Sequence, residues 1–443
     1  MKTDEPAAGP DRAAVPPVTR REIAAWAMFD FANSSYTTVV VTVAFSVFFT
    51  SLVAAGPDAD AWWGRGIFFS NLIVVLLSPI VGAMADESGR KKLFLFATYL
   101  LCVAGTAALW FVIPGAAGAI GLALALFVVS NVAFSVGENL TAAFLPELST
   151  PATVGRISGF GWGLGYFGGL ASLLLIKSKI DGGFTMENLP NLRRIWPLTA
   201  VFFLFAALPT FLFLHERAPR RNESLGYYFR KGFGRLKDTL SSIRHFGELA
   251  KFLAVFFVFY AGLSSIIAFV GVYAQRTVGF TSGELILLFL VVQFSAAGGA
   301  FVFGFIQDRI GARRTIQLSL VLWIATCVAT YLTSSKQIFW AIALAAGLGI
   351  GSLQSASRGL VGMFSPVGKS GEFFAFWGLA GKGAYAVGPL VFGIISSSTG
   401  SQRAAILATA VFFIVGLLGM FTVDEKRGIA AAASWVESAS AKG

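Results

Sequence analysis

Charge is scarce in this sequence. Only 13% of its 443 residues are Asp, Glu, Lys or Arg, against 56% apolar residues. That is too little charge to cover a soluble protein of this length. Cysteine and histidine are scarcer still, at two residues each. Cys102 and Cys327 stand alone in separate apolar runs, which excludes a disulfide framework or a thiolate metal motif. His215 and His245 fall in one basic stretch between runs. A membrane enzyme would need clustered His, Cys or carboxylates at suitable spacing, and the apolar runs carry none. No metal, no cofactor and no catalytic residue are expected. A P-loop pattern is missing, which excludes direct drive by ATP. Alternating ten-residue strands are missing too, which excludes a transmembrane barrel. A cleavable signal is not found: residues 1–19 are polar and rich in Pro and Ala, and are expected to be a disordered tail.

Long apolar runs are what the chain has instead. Runs of about 20 residues can span a bilayer as helices. Twelve are predicted: 23–52, 63–86, 92–113, 117–146, 153–177, 195–215, 249–275, 283–306, 314–333, 337–364, 371–398 and 402–423. The expected fold is an all-α membrane protein, with many of its 44 Phe residues facing lipid. The net charge of +11 gathers at Arg20-Arg21, Arg90-Lys91-Lys92, the 217–251 segment, Arg309–Arg314 and Lys426-Arg427. Twelve spans put all of these on one side. The positive-inside rule makes that side cytoplasmic, with both termini inside. The 177–194 loop, with Lys177, Lys179, Arg193 and Arg194, is the exception. Because the charge lies beside membrane runs, a lipid bilayer is the expected partner and nucleic acid is not.

The stretch 216–247 divides the runs into six and six, as a first bundle over 20–215 and a second over 248–425, with a tail at 426–443. Leu225, Phe229, Phe233, Leu236, Leu240 and Ile243 recur in the linker at near-helical spacing. Arg230, Lys231, Arg235, Lys237 and Arg244 lie between them. This is the pattern of an amphipathic helix on the inner leaflet, or of a soluble linker helix.

The halves repeat. Gly82-Ala-Met-Ala-Asp86-Glu-Ser-Gly89-Arg90-Lys91-Lys92 follows the second run, and Gly304-Phe-Ile-Gln-Asp308-Arg-Ile-Gly311-Ala-Arg313-Arg314 follows the eighth, with Gly, Asp, Gly and the basic pair at identical spacing. Gly82 and Gly304 permit close helix packing. Asp86 and Asp308 can cap their helices or face a neighbouring helix N-terminus. Gly89 and Gly311 permit the turn. A positive-inside loop alone would explain the basic residues but not the paired Asp and Gly. With these loops the chain resembles the major facilitator superfamily over roughly 20–425. Three segments narrow the resemblance: Trp26-Ala-Met-Phe-Asp30-Phe-Ala-Asn33, Gly159-Phe-Gly-Trp162-Gly-Leu-Gly165-Tyr166, and Gly371-Glu372-Phe-Phe-Ala-Phe-Trp377. They are similar to the autophagy-linked vacuolar amino-acid effluxers and their bacterial relatives. The resemblance implies two pseudo-symmetric six-helix bundles, an amino-acid-like cargo and, for a bacterial member, the inner membrane.

Ionisable groups inside membrane runs default to a functional reading. Asp30, Asn33 and Thr37 fall on one helical face, with Trp26 a turn earlier. Asp30 either couples a proton or pairs with Arg20 or Arg21 at the interface. Counting back from Pro146 and Pro366 aligns Glu138 with Arg358, and a pair across the pseudo-axis is expected. That pair is either a permanent tie or one broken by substrate or proton. Asn131 and Asn139 accompany Glu138, and Gln354 accompanies Arg358. Lys382, with Tyr385 beyond it, needs a carboxylate or an anionic substrate group, or else reaches for the interface. Trp162, Tyr166 and Tyr260 either pack or line a site. Glycines on 159–169 and 347–351 pack helices closely and can let them slide. The leading expectation is a monomeric secondary transporter of a small polar or zwitterionic solute, coupled to protons. A lipid, amphiphile or organic-anion transporter on the same fold is the alternative, and a transport-dead sensor is a further one.

Overall fold

The computed structural model describes residues 17–440, apart from 57, 222 and 242–245. The expected tail over 1–19 thus lies mostly outside the described residues. Among the described residues, twelve helices are long and apolar enough to cross a membrane. They are α1 (Arg20–Val53), α2 (Trp62–Ser88), α3 (Lys91–Phe111), α4 (Ala119–Leu148), α5 (Val154–Ile180), α6 (Leu189–Phe213), α7 (Gly247–Gly271), α8 (Leu287–Ile310), α9 (Ala312–Leu332), α10 (Lys336–Phe364), α11 (Ser370–Thr399) and α12 (Gln402–Met420). No strand occurs among the described residues.

The sixth span differs most from expectation. It begins at Leu189 rather than near 195, with Pro190 in its first turn, where a missing N–H costs nothing. Arg193 therefore sits on a helix and donates to the Trp110 carbonyl at 2.7 and 2.9 Å. Lys177 pairs with Asp181 at 3.1 Å. Two of the four misplaced basic residues are thus held by local partners.

α1 is not uniformly α-helical. Tyr36–Val43 and Phe49–Val53 are wound as π-helix. The first of these carries the β-branched run Thr37–Val43, which loses rotamer freedom in an α-helix. Thr42 donates to the carbonyl of Thr37, five residues back, at 3.0 Å. The wider winding takes Thr37 off the strict i, i+7 face expected of it.

Phenylalanine serves both surfaces. Phe45, Phe48, Phe49 and Phe127 are fully buried around Trp63 and Trp196, whereas Phe68, Phe69 and Phe205 point outward.

The two bundles meet along α2·α11 and α5·α8, which are equivalent seams under the six-plus-six repeat. Small residues let backbones touch there. A Cβ on Gly82 would meet the Gly371 backbone, and one on Gly155 would meet that of Gly304. A helix follows the first bundle over Leu225–Ser241 and packs on α2, with Gly232 against Ala83 and Met84. Phe229 and Phe233 on it are exposed. Residues Ile243 and Arg244 of its expected pattern lie outside the described residues. The expected C-terminal tail contains a helix, Glu425–Ser440.

Candidate functional site

The repeated loops close the basic end of the molecule. Asp86 accepts from the backbone N–H of Glu372 in the first turn of α11, at 3.1 Å. Asp308 accepts from Gly155 at 2.7 Å and Arg156 at 3.2 Å in the first turn of α5. Each carboxylate thus ends one bundle's second helix and caps a helix of the other bundle, where free N–H groups and the dipole favour an anion. Gly89 has φ +62°, as its turn requires, and a side chain there would strike Pro219. Gly311, with φ +87°, faces the Glu425 carboxylate, which also accepts from the Arg313 N–H at 2.9 Å. Arg90 opens α3, its N–H donating to Ser88 Oγ at 3.2 Å. Sequence reasoning placed Lys91 in the repeated basic pair but gave it no partner, and it missed Ser158, which holds Arg358. Lys91 is buried 3.6 Å from Asp86, and reaches Glu147 at 2.6 Å and Ser370 at 2.7 Å.

Arg358 does not pair with Glu138, contrary to expectation. Its Nη1 meets Asp30 Oδ2 at 2.6 Å. Its Nε donates to Ser158 Oγ at 3.1 Å and its Nη2 to the Ser158 carbonyl at 2.7 Å. The guanidinium lies 5.0 Å from the Trp26 ring centre and 5.2 Å from that of Trp162, distances at which a ring face attracts a cation. Only 4% of the Arg358 side chain is exposed. α10 thus plugs into α1 and α5 of the other bundle. Gly161 makes room: a Cβ there would meet Asp30, Arg358 and Trp26 together. The proline alignment found pseudo-equivalent positions, and symmetry-related residues need not touch. Asp30 likewise does not pair with Arg20 or Arg21.

Deeper along the same wall, Gln354 accepts from the Tyr166 hydroxyl and donates to that of Tyr260 at 3.4 Å. Tyr260 packs 6.1 Å from Tyr385. Lys382 lies one turn before Tyr385, 5.9 Å from the Phe134 ring, with Glu138 its charged neighbour. Among the described residues neither Glu138 nor Lys382 makes a hydrogen bond or ion pair, so this couple stands apart where Asp30 and Arg358 are in contact. Other carboxylates of the membrane helices are held: Glu22 by Arg217, Glu87 by Arg221, Glu147 by Lys91, Glu248 by Lys251.

Asn131 and Asn139 are turned to a different task. They donate to Ser70 at 2.9 Å and Ser78 at 2.8 Å, two rungs eight residues apart that tie α4 to α2. Asn33 is buried with its Oδ1 unpartnered. Thr37 is exposed.

The family described as "Vacuole effluxer Atg22 like" matches residues 66–433 of this sequence. The chain belongs to the Atg22-like family. An MFS-type transporter of Bacillus subtilis, YxiO, is 27% identical over 90% of this chain and 94% of its own length. Autophagy-related protein 22 of Kluyveromyces lactis is 23% identical over 82% of this chain and 78% of its own. Among solved structures, the human organic anion transporter MFSD10 superposes with a TM-score of 0.68 at 17% identity, covering 91% of this chain and all of that one. The proton:xylose symporter XylE does so with a TM-score of 0.68 at 12% identity, covering 92% and 95%. These likenesses show the major facilitator fold. This Atg22-like protein is therefore a multi-pass membrane transporter of the secondary class and not an enzyme. Its two repeated loops and its Arg358 plug all bind the bundles together at one end.

Proposed function

We propose that this protein exchanges a zwitterionic, amino-acid-like solute against protons, and that the Glu138–Lys382 couple is where it does so. The observation that carries this is the open couple itself. Opposite charges in apolar surroundings are costly unless something completes them. A zwitterion does so, its ammonium on Glu138 and its carboxylate on Lys382, with the Tyr166, Gln354, Tyr260 and Tyr385 wall beside it. Without substrate, Glu138 is the carboxylate free to take a proton. Proton and ammonium then compete for one group, and competition for one site gives exchange. The Asp30–Arg358 contact acts as a lock, made when the basic end is closed and broken when the bundles rock. By the positive-inside rule the basic end faces the cytoplasm, so the closed state faces outward. The family's description as a vacuole effluxer agrees with movement of a solute across a membrane.

The test is uptake by proteoliposomes under an imposed pH gradient, over neutral, acidic and basic amino acids, with Glu138→Gln and Lys382→Gln alongside. Flux of an amino acid that both variants abolish is the expected result. Folded protein that moves lipids or organic anions but no amino acid would overturn the cargo and favour the amphiphile alternative.

A further inference from the structure

A groove of about 500 Å³ opens where the linker crosses the start of α3, outside the transport path. Its rim is basic, with Arg90, Lys92 and Arg220 against the single carboxylate of Glu216. Its floor is apolar, with Leu93 and Phe96, which are 54% and 39% exposed on the first turns of a membrane span. Lys92 Nζ donates one bond, to the Leu214 carbonyl at 2.7 Å, so two of its three donors remain. The Arg220 side chain is 71% exposed and comes no nearer to Glu216 than 3.9 Å. Glu216 is occupied elsewhere, accepting from the Lys92 backbone N–H at 2.7 Å. Burial also holds its carboxyl above the usual range.

From this juxtaposition of a basic rim and an outward-facing apolar floor, we propose that the groove binds an anionic phospholipid. The phosphate sits between Lys92 and Arg220, and the acyl chains run along Leu93 and Phe96. A guanidinium suits phosphate by its paired donors and an ammonium as a point charge. A free phosphate would use the rim but leave the floor uncovered. The position matters because the linker is fastened to the same loop. The Arg221 N–H donates to the Ser88 carbonyl at 3.1 Å, and Arg221 pairs with Glu87. A lipid joining Arg220 to Lys92 therefore braces the turn that carries Asp86.

The test is native mass spectrometry of the full-length protein with phosphatidylglycerol, phosphatidylcholine or inorganic phosphate, and it needs no transport. Selective retention of phosphatidylglycerol is expected. Each basic residue near a membrane surface contributes about five-fold to anionic-lipid affinity. Arg220→Gln should therefore lower affinity by that factor and Lys92→Gln by the same again, while Arg427→Gln, at the same end on the other bundle, changes nothing. Equal retention by wild type and the double variant would overturn the proposal. So would equal retention of phosphatidylcholine, or inorganic phosphate bound as tightly as the lipid. Should the double variant fail to fold, Arg220→Gln alone decides, since its side chain lies in solvent.

Discussion

Two couples of opposite charge lie among the membrane helices of this protein, and they differ in one respect. Asp30 and Arg358 touch at 2.6 Å, with Ser158 and two Trp rings completing the guanidinium's surroundings. Among the described residues Glu138 and Lys382 make no hydrogen bond or ion pair, although Lys382 lies 5.9 Å from the ring of Phe134, one turn before Glu138 on the same helix. A buried pair in contact is satisfied and holds its elements together. A couple held apart has its charges still to be met. On the proposed function, the difference separates a lock from a site.

The comparison can be broken most directly at the open couple. Removing one member of a charged contact to a bound ligand costs about 2–5 kcal/mol. Glu138→Gln or Lys382→Gln should therefore lower kcat/KM for amino-acid flux by about 30-fold or more. Neither should lower the melting temperature by more than a small amount, because among the described residues neither side chain makes a hydrogen bond or ion pair and Lys382 has only the Phe134 ring at 5.9 Å. A large loss of stability would show that they hold the fold instead.

The lock should behave in the opposite way. Arg358→Gln leaves Asp30 without its cation, a change that costs about 3–5 kcal/mol when the pair is buried. Hydrogen exchange should quicken at the amides of Gly155, Arg156 and Glu372, which Asp308 and Asp86 protect. Gly161→Ala should do the same by pushing the pair apart. Unchanged exchange in both variants would mean that the pair does not hold the basic end shut.

A smaller effect separates the repeated loops. Asp86 is buried with Lys91, whereas Asp308 faces an Arg156 whose side chain is 51% exposed. Asp86→Asn should therefore destabilise by about 1–3 kcal/mol, the cost of disturbing a buried charged group. Asp308→Asn should cost less, because water screens its partner. Thermal unfolding of the two variants ranks them, and equal losses would remove the asymmetry.

Much of this architecture was legible in the sequence. Twelve apolar runs gave the helices, because spanning a bilayer demands length and hydropathy that nothing else in the chain mimics. The paired Gly and Asp gave both closing loops, because the same geometric demand was written twice. The partner of Arg358 was not legible. Asp30 lies 328 residues away in sequence, and only the packing of α10 against α1 and α5 brings them together. Asn131 and Asn139 looked like site residues because a buried amide needs a partner, but the partners are Ser70 and Ser78 on the next helix. Lys91 stood in the repeated basic pair, but positive-inside charge already explained it, and its partners Glu147 and Ser370 lie far away in sequence.

Proton movement driven by an amino-acid gradient is the most direct test of the central claim. A pH-sensitive dye inside proteoliposomes would report it for the wild type, Glu138→Gln and Asp30→Asn. The account predicts protons moving against the amino acid in the wild type, none with Glu138→Gln, and coupling retained with Asp30→Asn. Coupling that survives Glu138→Gln and disappears with Asp30→Asn would contradict it, and would make the lock the proton site.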